Sequence, residues 1–165
     1  MTEDAERWFD RFEGKLYLVL LDNKKEPSLK DGRSLWALQR PLTYRPGNGA
    51  HTITVRSGFT TDLASIPRLV WSLLPPDGPW VKAAIIHDYL YATAGTGVWK
   101  KGVCGISRPT PYTRAEADRI IHEGMRNRGV GVIRRTIIFW AVRLGGRRGW
   151  GMEDPRPRLK PDRRR

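Results

Sequence analysis

The chain has 165 residues and a formal net charge of +13, from 30 Lys and Arg against 17 Asp and Glu. With 39% hydrophobic and 10% aromatic residues it is too apolar for a wholly disordered chain, and one core can bury roughly 70% of the unfolded surface at this length. The single cysteine, Cys104, excludes an internal disulfide and a Cys-rich zinc site, and no apolar run reaches the roughly 18 residues that a spanning helix needs.

The acidic start, Met1 to Glu6, is unlike a signal peptide, so the expectation is a soluble protein made in a reducing cytoplasm. Trp8 and Phe12, four apart among acids, predict a short amphipathic helix ended by Gly14. Lys15 to Leu21 reads as a strand by its branched and aromatic content, and the polar run Asp22 to Arg33 as a loop. Ser34 to Tyr44 alternates Trp36, Leu38, Leu42 and Tyr44, which predicts a strand with an edge or bend at Pro41. After the turn signal Arg45-Pro46-Gly47-Asn48-Gly49, Thr52 to Arg56 is a third strand. Gly58 to Arg68 reads as a loop and Pro67 to Leu74 as a short helix, stopped by Pro75-Pro76-Asp77-Gly78-Pro79.

Trp80 to Ala92 is helical by its Ala, Ile and Leu content. Thr93 to Tyr112, rich in glycine and proline, is a long loop whose length makes it functional, mobile or a hidden hairpin. Thr113-Arg114-Ala115-Glu116 has the pattern of a capping box, so a helix runs from there to about Arg128. Val130 to Leu144 is a last apolar helix, with Trp140 assigned to the core, ended by Gly145-Gly146. The expectation is one α+β domain over residues 1–150. It has a small N-terminal antiparallel sheet of three or more strands and a C-terminal half of four or so helices. Residues 151–165 form a basic, Pro- and Arg-rich tail expected to be disordered.

Chemistry-bearing residues concentrate on two helices. Trp80, Ala84, His87 and Tyr91 share one stripe of the first; Val81, Ile85, Asp88 and Ala92 share the next. A helix apolar nearly all round is central, so His87 and Asp88 project into the interior or a cleft, where a carboxylate needs a cation, a metal or several donors. On the following helix Ala117, Ile121 and Met125 mark the apolar face and Asp118 borders it. His122 lies one turn later, and Arg119, Glu123 and Arg126 point away. Antiparallel packing brings Asp118 to His87 and Tyr91. A histidine oriented by a carboxylate suits a general base that activates water, and Asp88 suits a hard cation such as calcium. The same residues equally suit a closed polar network that fixes helix packing. Asp62 is the second candidate for a metal, in a loop where Ser65 suits a helix cap. His51 reads as a strand-edge residue, Cys104 as a loop thiol, and Trp150 as part of a packed helix terminus.

Three resemblances add to this. Gly58-Phe59-x-Thr61-Asp62-Leu63-Ala64-Ser65-Ile66-Pro67-Arg68, Trp71, Ala83-Ala84-Ile85-Ile86-His87-Asp88-Tyr89-Leu90-Tyr91, Ala117-Asp118 and a downstream Ala141-Val142-Arg143 resemble a domain-of-unknown-function family of tailed phages and prophages. That implies a phage or prophage product with no established activity. His87-Asp88-x-x-Tyr91 with Asp118 on the next helix is similar to the core of calcium-dependent secretory phospholipases, which cleave the sn-2 acyl ester. The likeness implies His87 as the water-activating base, Tyr91 and Asp118 as its support, and Asp88 as a calcium ligand. The glycine-rich calcium loop and the disulfides of those enzymes have no counterpart here. Ile85-Ile86-His87-Asp88 is also similar to the His-Asp step of metal-dependent phosphohydrolases, but their earlier helical histidine is matched here only by His51, beside a strand.

The leading expectation is therefore a phage or prophage accessory protein with a calcium-assisted ester hydrolase site. No organic cofactor is expected, and the partner is an anionic membrane or a cell-envelope polymer. It is made in the host bacterial cytoplasm and becomes virion-associated. The rival is a non-enzymatic virion or assembly protein, whose His-Asp network is structural and whose basic surface binds nucleic acid or phage structural proteins.

Overall fold

A computed structural model describes residues 11–21, 35–63, 78–99 and 104–151. In chain order these form β1 (Phe12–Glu13), β2 (Leu18–Leu20), β3 (Trp36–Leu38), β4 (Leu42–Tyr44), β5 (Ile53–Val55) and β6 (Thr60–Thr61). Then come α1 (Val81–Ala92), α2 (Arg114–Asn127) and α3 (Val132–Gly145), the last followed by a 3₁₀ turn, Gly146–Gly149. The fold is α+β, with its strands before its helices.

The strands make two antiparallel three-stranded sheets rather than one, in the orders β1-β4-β5 and β2-β3-β6. The stretch read as one strand over Ser34 to Tyr44 is split between them. Leu38 exchanges backbone hydrogen bonds with Gly58 and Phe59, and Gln39 N–H donates to the Tyr17 carbonyl. Pro41 then lacks the N–H that would continue the ladder, and β4 turns to the other sheet. Two other expectations fail. Phe12 is in β1, paired with Tyr44, and not in a helix. The run after Gly58 is not all loop, because Thr60 and Thr61 pair with Ala37 and Trp36. Both errors come from two-residue strands, which are too short for a periodic signal and exist only through their neighbours. Trp8, the loop over 22–33, the short helix over 67–74 and the tail beyond Gly151 lie outside the described residues.

The alternation in β4 and β5 is real. Leu42, Tyr44, Ile53 and Val55 are buried in the core, while Thr43 and Thr54 share a hydroxyl hydrogen bond of 2.9 Å on the opposite face. Nearly every side chain of α1 is buried, as expected of a helix with no polar face. The capping box at Thr113 is formed in both directions with Glu116. Arg108 grips the same carboxylate at 2.8 and 3.0 Å. With that guanidinium as the main cause, Glu116 is held down to about 2. Gly124 lets α2 approach α1 closely, since a Cβ there would stand 2.9 Å from that of Ala83.

The described part of the segment 93–112 is anchored, and its pairing is that of a hairpin. Val98 bridges Cys104, and Ile106 bridges Ile53, so the chain runs along the outer edge of β5. Thr54 N–H donates to the Gly105 carbonyl at 2.6 Å and Ser107 N–H to the Thr52 carbonyl at 3.0 Å. Phe59 closes the underside, edge-on to Tyr89 and Trp99. Cys104 is an exposed thiol in this segment.

Helix α3 departs most from expectation. Ile138 and Val142 are buried, but Trp140, assigned to the core, is exposed together with Ile133, Ile137 and Leu144. The helix is apolar on two faces, and only one has a neighbour among the described residues. Among those residues no helix is long and apolar enough to cross a membrane.

Candidate functional site

The site lies where α1, α2 and α3 meet. His87 and Tyr91, one turn apart on α1, face Asp118 on α2, and their rings lie 4.1 Å apart between centroids. Asp118 Oδ1 is 3.2 Å from His87 Nε2 and accepts from the Tyr91 hydroxyl at 2.6 Å. Its Oδ2 accepts from Arg143 Nη1 of α3 at 2.9 Å, and Arg114 Nη1, one turn back on α2, is 3.7 Å away. Asp118 thus lies among the buried residues Ala117 and Ile121, as the spacing suggested, and meets His87 and Tyr91. It is fully buried, and it is tolerated there because three donors and two cations compensate its charge.

The glycines after α3 complete the enclosure. A Cβ on Gly146 would meet the Tyr91 hydroxyl at 2.7 Å, so only glycine lets the chain pass over that ring. Trp150 then packs edge-on against Tyr91 at 5.0 Å, the packed helix terminus expected of it.

On the far side of the imidazole, Nδ1 lies 4.0 Å from Asp88 Oδ1. Asp88 reaches the boundary of the site, and its Oδ2 accepts a short hydrogen bond from the Thr61 hydroxyl. That bond ties α1 to β6, the strand that Asp62 follows in the chain. The hard oxygen donors of Asp88 and Asp62 suit calcium chemically. Among the described residues, no group of three or more His, Cys, Asp or Glu side chains is arranged to hold a metal ion.

The electrostatics follow from burial and pairing. Burial alone would depress the pKa of His87. Hydrogen bonds to Asp118 and Asp88, and their charges, outweigh it, so the pKa of His87 is raised. Burial would raise the pKa of Asp118, but hydrogen bonds from His87, Tyr91 and Arg143 hold it below its ordinary value. Burial first, then Asp118, pushes the Tyr91 hydroxyl well above the usual tyrosine range. The imidazole is thus sandwiched between two carboxylates that favour its protonated form.

Spacing alone did not reveal four members of this region. Arg114 was visible only as an i, i+4 partner of Asp118, and Arg143 as an ion in an apolar helix. Thr61 stood in a run of small polar residues. Glu123, assigned to the solvent side, instead faces the sheet. Its Oε1 accepts from the Tyr44 hydroxyl and the Gly47 N–H, each at 2.9 Å, and from Arg11 at 3.3 Å. His122 lies against Phe139 rather than in the network, and His51 is exposed just before β5.

Comparison with known proteins gives a family and a relative. A family model described as "Protein of unknown function (DUF1353)" matches residues 36–142, which include His87, Asp88, Tyr91, Arg114 and Asp118 but not Arg143, Gly146 or Trp150. The uncharacterized protein y4jT of Sinorhizobium fredii is 30% identical over 118 residues, covering 70% of this chain. The match spans only 30% of that protein's own length. No solved structure matches.

Proposed function

The chain belongs to the DUF1353 family, and from that premise we propose that it is a phage or prophage accessory protein with a calcium-assisted ester hydrolase site of phospholipase-like design. The observation that carries the reading is the division of the His87 ring between two carboxylates. Asp118 takes Nε2, with Tyr91 on the same oxygen, and Asp88 faces Nδ1. A general base needs one nitrogen fixed and the other turned to the reaction.

In this reading Asp118 holds the proton on Nε2. His87 Nδ1 takes a proton from water as the water oxygen bonds to the ester carbonyl carbon. The imidazolium returns that proton to the departing alkoxide as the ester C–O bond breaks, leaving acid and alcohol. Asp88 and Asp62 would hold calcium, whose positive charge would favour an oxyanion at the ester carbonyl. The raised pKa of His87 means that the base must first lose its proton, so activity rises with pH through that value. The substrate is an ester in an anionic membrane or a cell-envelope polymer, in keeping with the net charge of +13. The protein is made in the host bacterial cytoplasm and associates with the virion.

The test combines calorimetry with product assay. Calcium is titrated into the wild type and into Asp88→Asn, and fatty acid release from phosphatidylglycerol vesicles is followed for both and for His87→Asn. The expected result is calcium binding lost in Asp88→Asn. His87→Asn keeps binding and loses about 10²- to 10⁴-fold in rate. Absence of calcium binding and of release from the wild type overturns the mechanism. A second reading has its own support: Asp118 is saturated by three donors and fully buried, as befits a network that only fixes packing. The protein would then be a virion or assembly component binding nucleic acid or phage structural proteins, and His87→Gln would leave that binding unchanged.

A further inference from the structure

Helix α3 is apolar on two faces, and among the described residues only one of them is covered. Ile138 and Val142 pack inward, and Arg143 reaches Asp118. The opposite stripe, Ile133, Ile137, Trp140 and Leu144, has the four-three-four spacing of a single helix face and is 74, 38, 54 and 76% exposed. A contiguous apolar face of this kind marks an interaction site rather than scattered surface hydrophobes.

Charge identifies the occupant. Residues 124–152 contain seven arginines and no carboxylate side chain. Arg134 and Arg147 are exposed near the two ends of the stripe. A second copy of the chain would bring these arginine-flanked faces together and repel. A helix with an aromatic and aliphatic face, whose only charged side chains are arginines, has the composition of one that lies in the plane of a bilayer. Trp140 sits mid-stripe, with an apolar ring and a polar N–H suited to the headgroup boundary.

We propose that the exposed face of α3 docks the protein on an anionic phospholipid bilayer, with the stripe entering the acyl boundary and the flanking arginines meeting the phosphates. The inference rests on the lipid-ester reading for its link to catalysis, and it names the surface that presents the substrate. Because α3 also carries Arg143, docking seats the helix that contacts Asp118 at the membrane surface.

The experiment is sedimentation of the full chain with vesicles of phosphatidylcholine alone and with phosphatidylglycerol added. It compares the wild type, the double variant Ile133→Ser/Trp140→Ser, and His87→Asn. Both stripe positions are exposed, so the double variant is expected to fold with an unchanged melting temperature. The expected result is binding to anionic vesicles only, weakened about tenfold or more in the double variant and retained in His87→Asn. His87→Asn thereby separates docking from hydrolysis: retained docking with no product from the wild type sinks the hydrolase reading alone. Equal binding by wild type and double variant overturns the docking proposal, since charge or another face then carries it. So does absence of vesicle binding, whether the protein is monomeric or forms a dimer that the double variant abolishes. A marked fall in melting temperature of the double variant also overturns it, because part of this chain then covers the stripe.

Discussion

Asp118 and Glu123 stand on the same helix and both accept hydrogen bonds from tyrosine, arginine and a third donor, yet they do different work. Asp118 faces other helices, is fully buried, and is ringed by His87, Tyr91, Arg143 and Arg114. Glu123 faces the sheet and keeps partial access to solvent. It pins Tyr44 of β4 and the turn at Gly47 to α2. The first carboxylate cannot be relieved by water, so its partners are obligatory. The second can be rehydrated, so its partners add stability without being required. A helix can thus carry a candidate reaction centre on one side and a structural clasp on the other, and burial is what separates them.

Breaking the buried centre gives the largest effect. Asp118→Ala leaves two arginines and a histidine around an empty carboxylate position. It is expected to cost about 3 kcal/mol or more in urea unfolding, below the top of the range because Arg114 and Arg143 reach solvent. Glu123→Ala is expected to cost about 1–2 kcal/mol, chiefly through the Tyr44 hydroxyl. Comparing it with Tyr44→Phe in a double-mutant cycle checks whether the two act as one unit. A cycle showing independence would end the idea of a clasp. Tyr91→Phe removes one of three donors from Asp118 and is expected to cost about 1 kcal/mol, with the remaining two still in place.

The smallest expected effect is in pH dependence, and it sharpens the same contrast. The pKa of His87 is raised in the fold, so its contribution is complete below the ordinary value of 6.5 and fades as pH climbs through the folded value. Asp118 is lowered, so its contribution holds above 3.8 and fades as pH falls through its own folded value. Unfolding curves across pH 5 to 9 should therefore show a decline on the alkaline side that is smaller in Asp118→Asn, where only Asp88 still favours the protonated ring. The same decline in the variant would mean that Asp118 is not what holds the proton on His87.

Legibility in the sequence followed burial and length of element. The pairing of His87 and Tyr91 with Asp118 was readable because all three interrupt apolar stripes of helices long enough to have a face. Glu123 was misread because its helix position borders the solvent side. The sheet that claims it is built from strands of two or three residues and comes from far earlier in the chain. Trp140 was misread for the opposite reason: an apolar residue in an apolar helix signals burial, but α3 has more apolar surface than the described residues around it cover.

What the chain alone determined is local and periodic: the central helix, the capping box at Thr113, the helical spacing of the site, the alternation in β4 and β5, and the excess of positive charge. Each depends on residues within a turn or two, or on composition. The tertiary structure alone decided that the strands split into two sheets at Pro41, that Thr61 joins Asp88, and that Arg114 and Arg143 compensate Asp118. It also decided that one face of α3 is left uncovered among the described residues. These are pairings between distant segments, set by which surfaces meet when the core closes, and no local pattern encodes them.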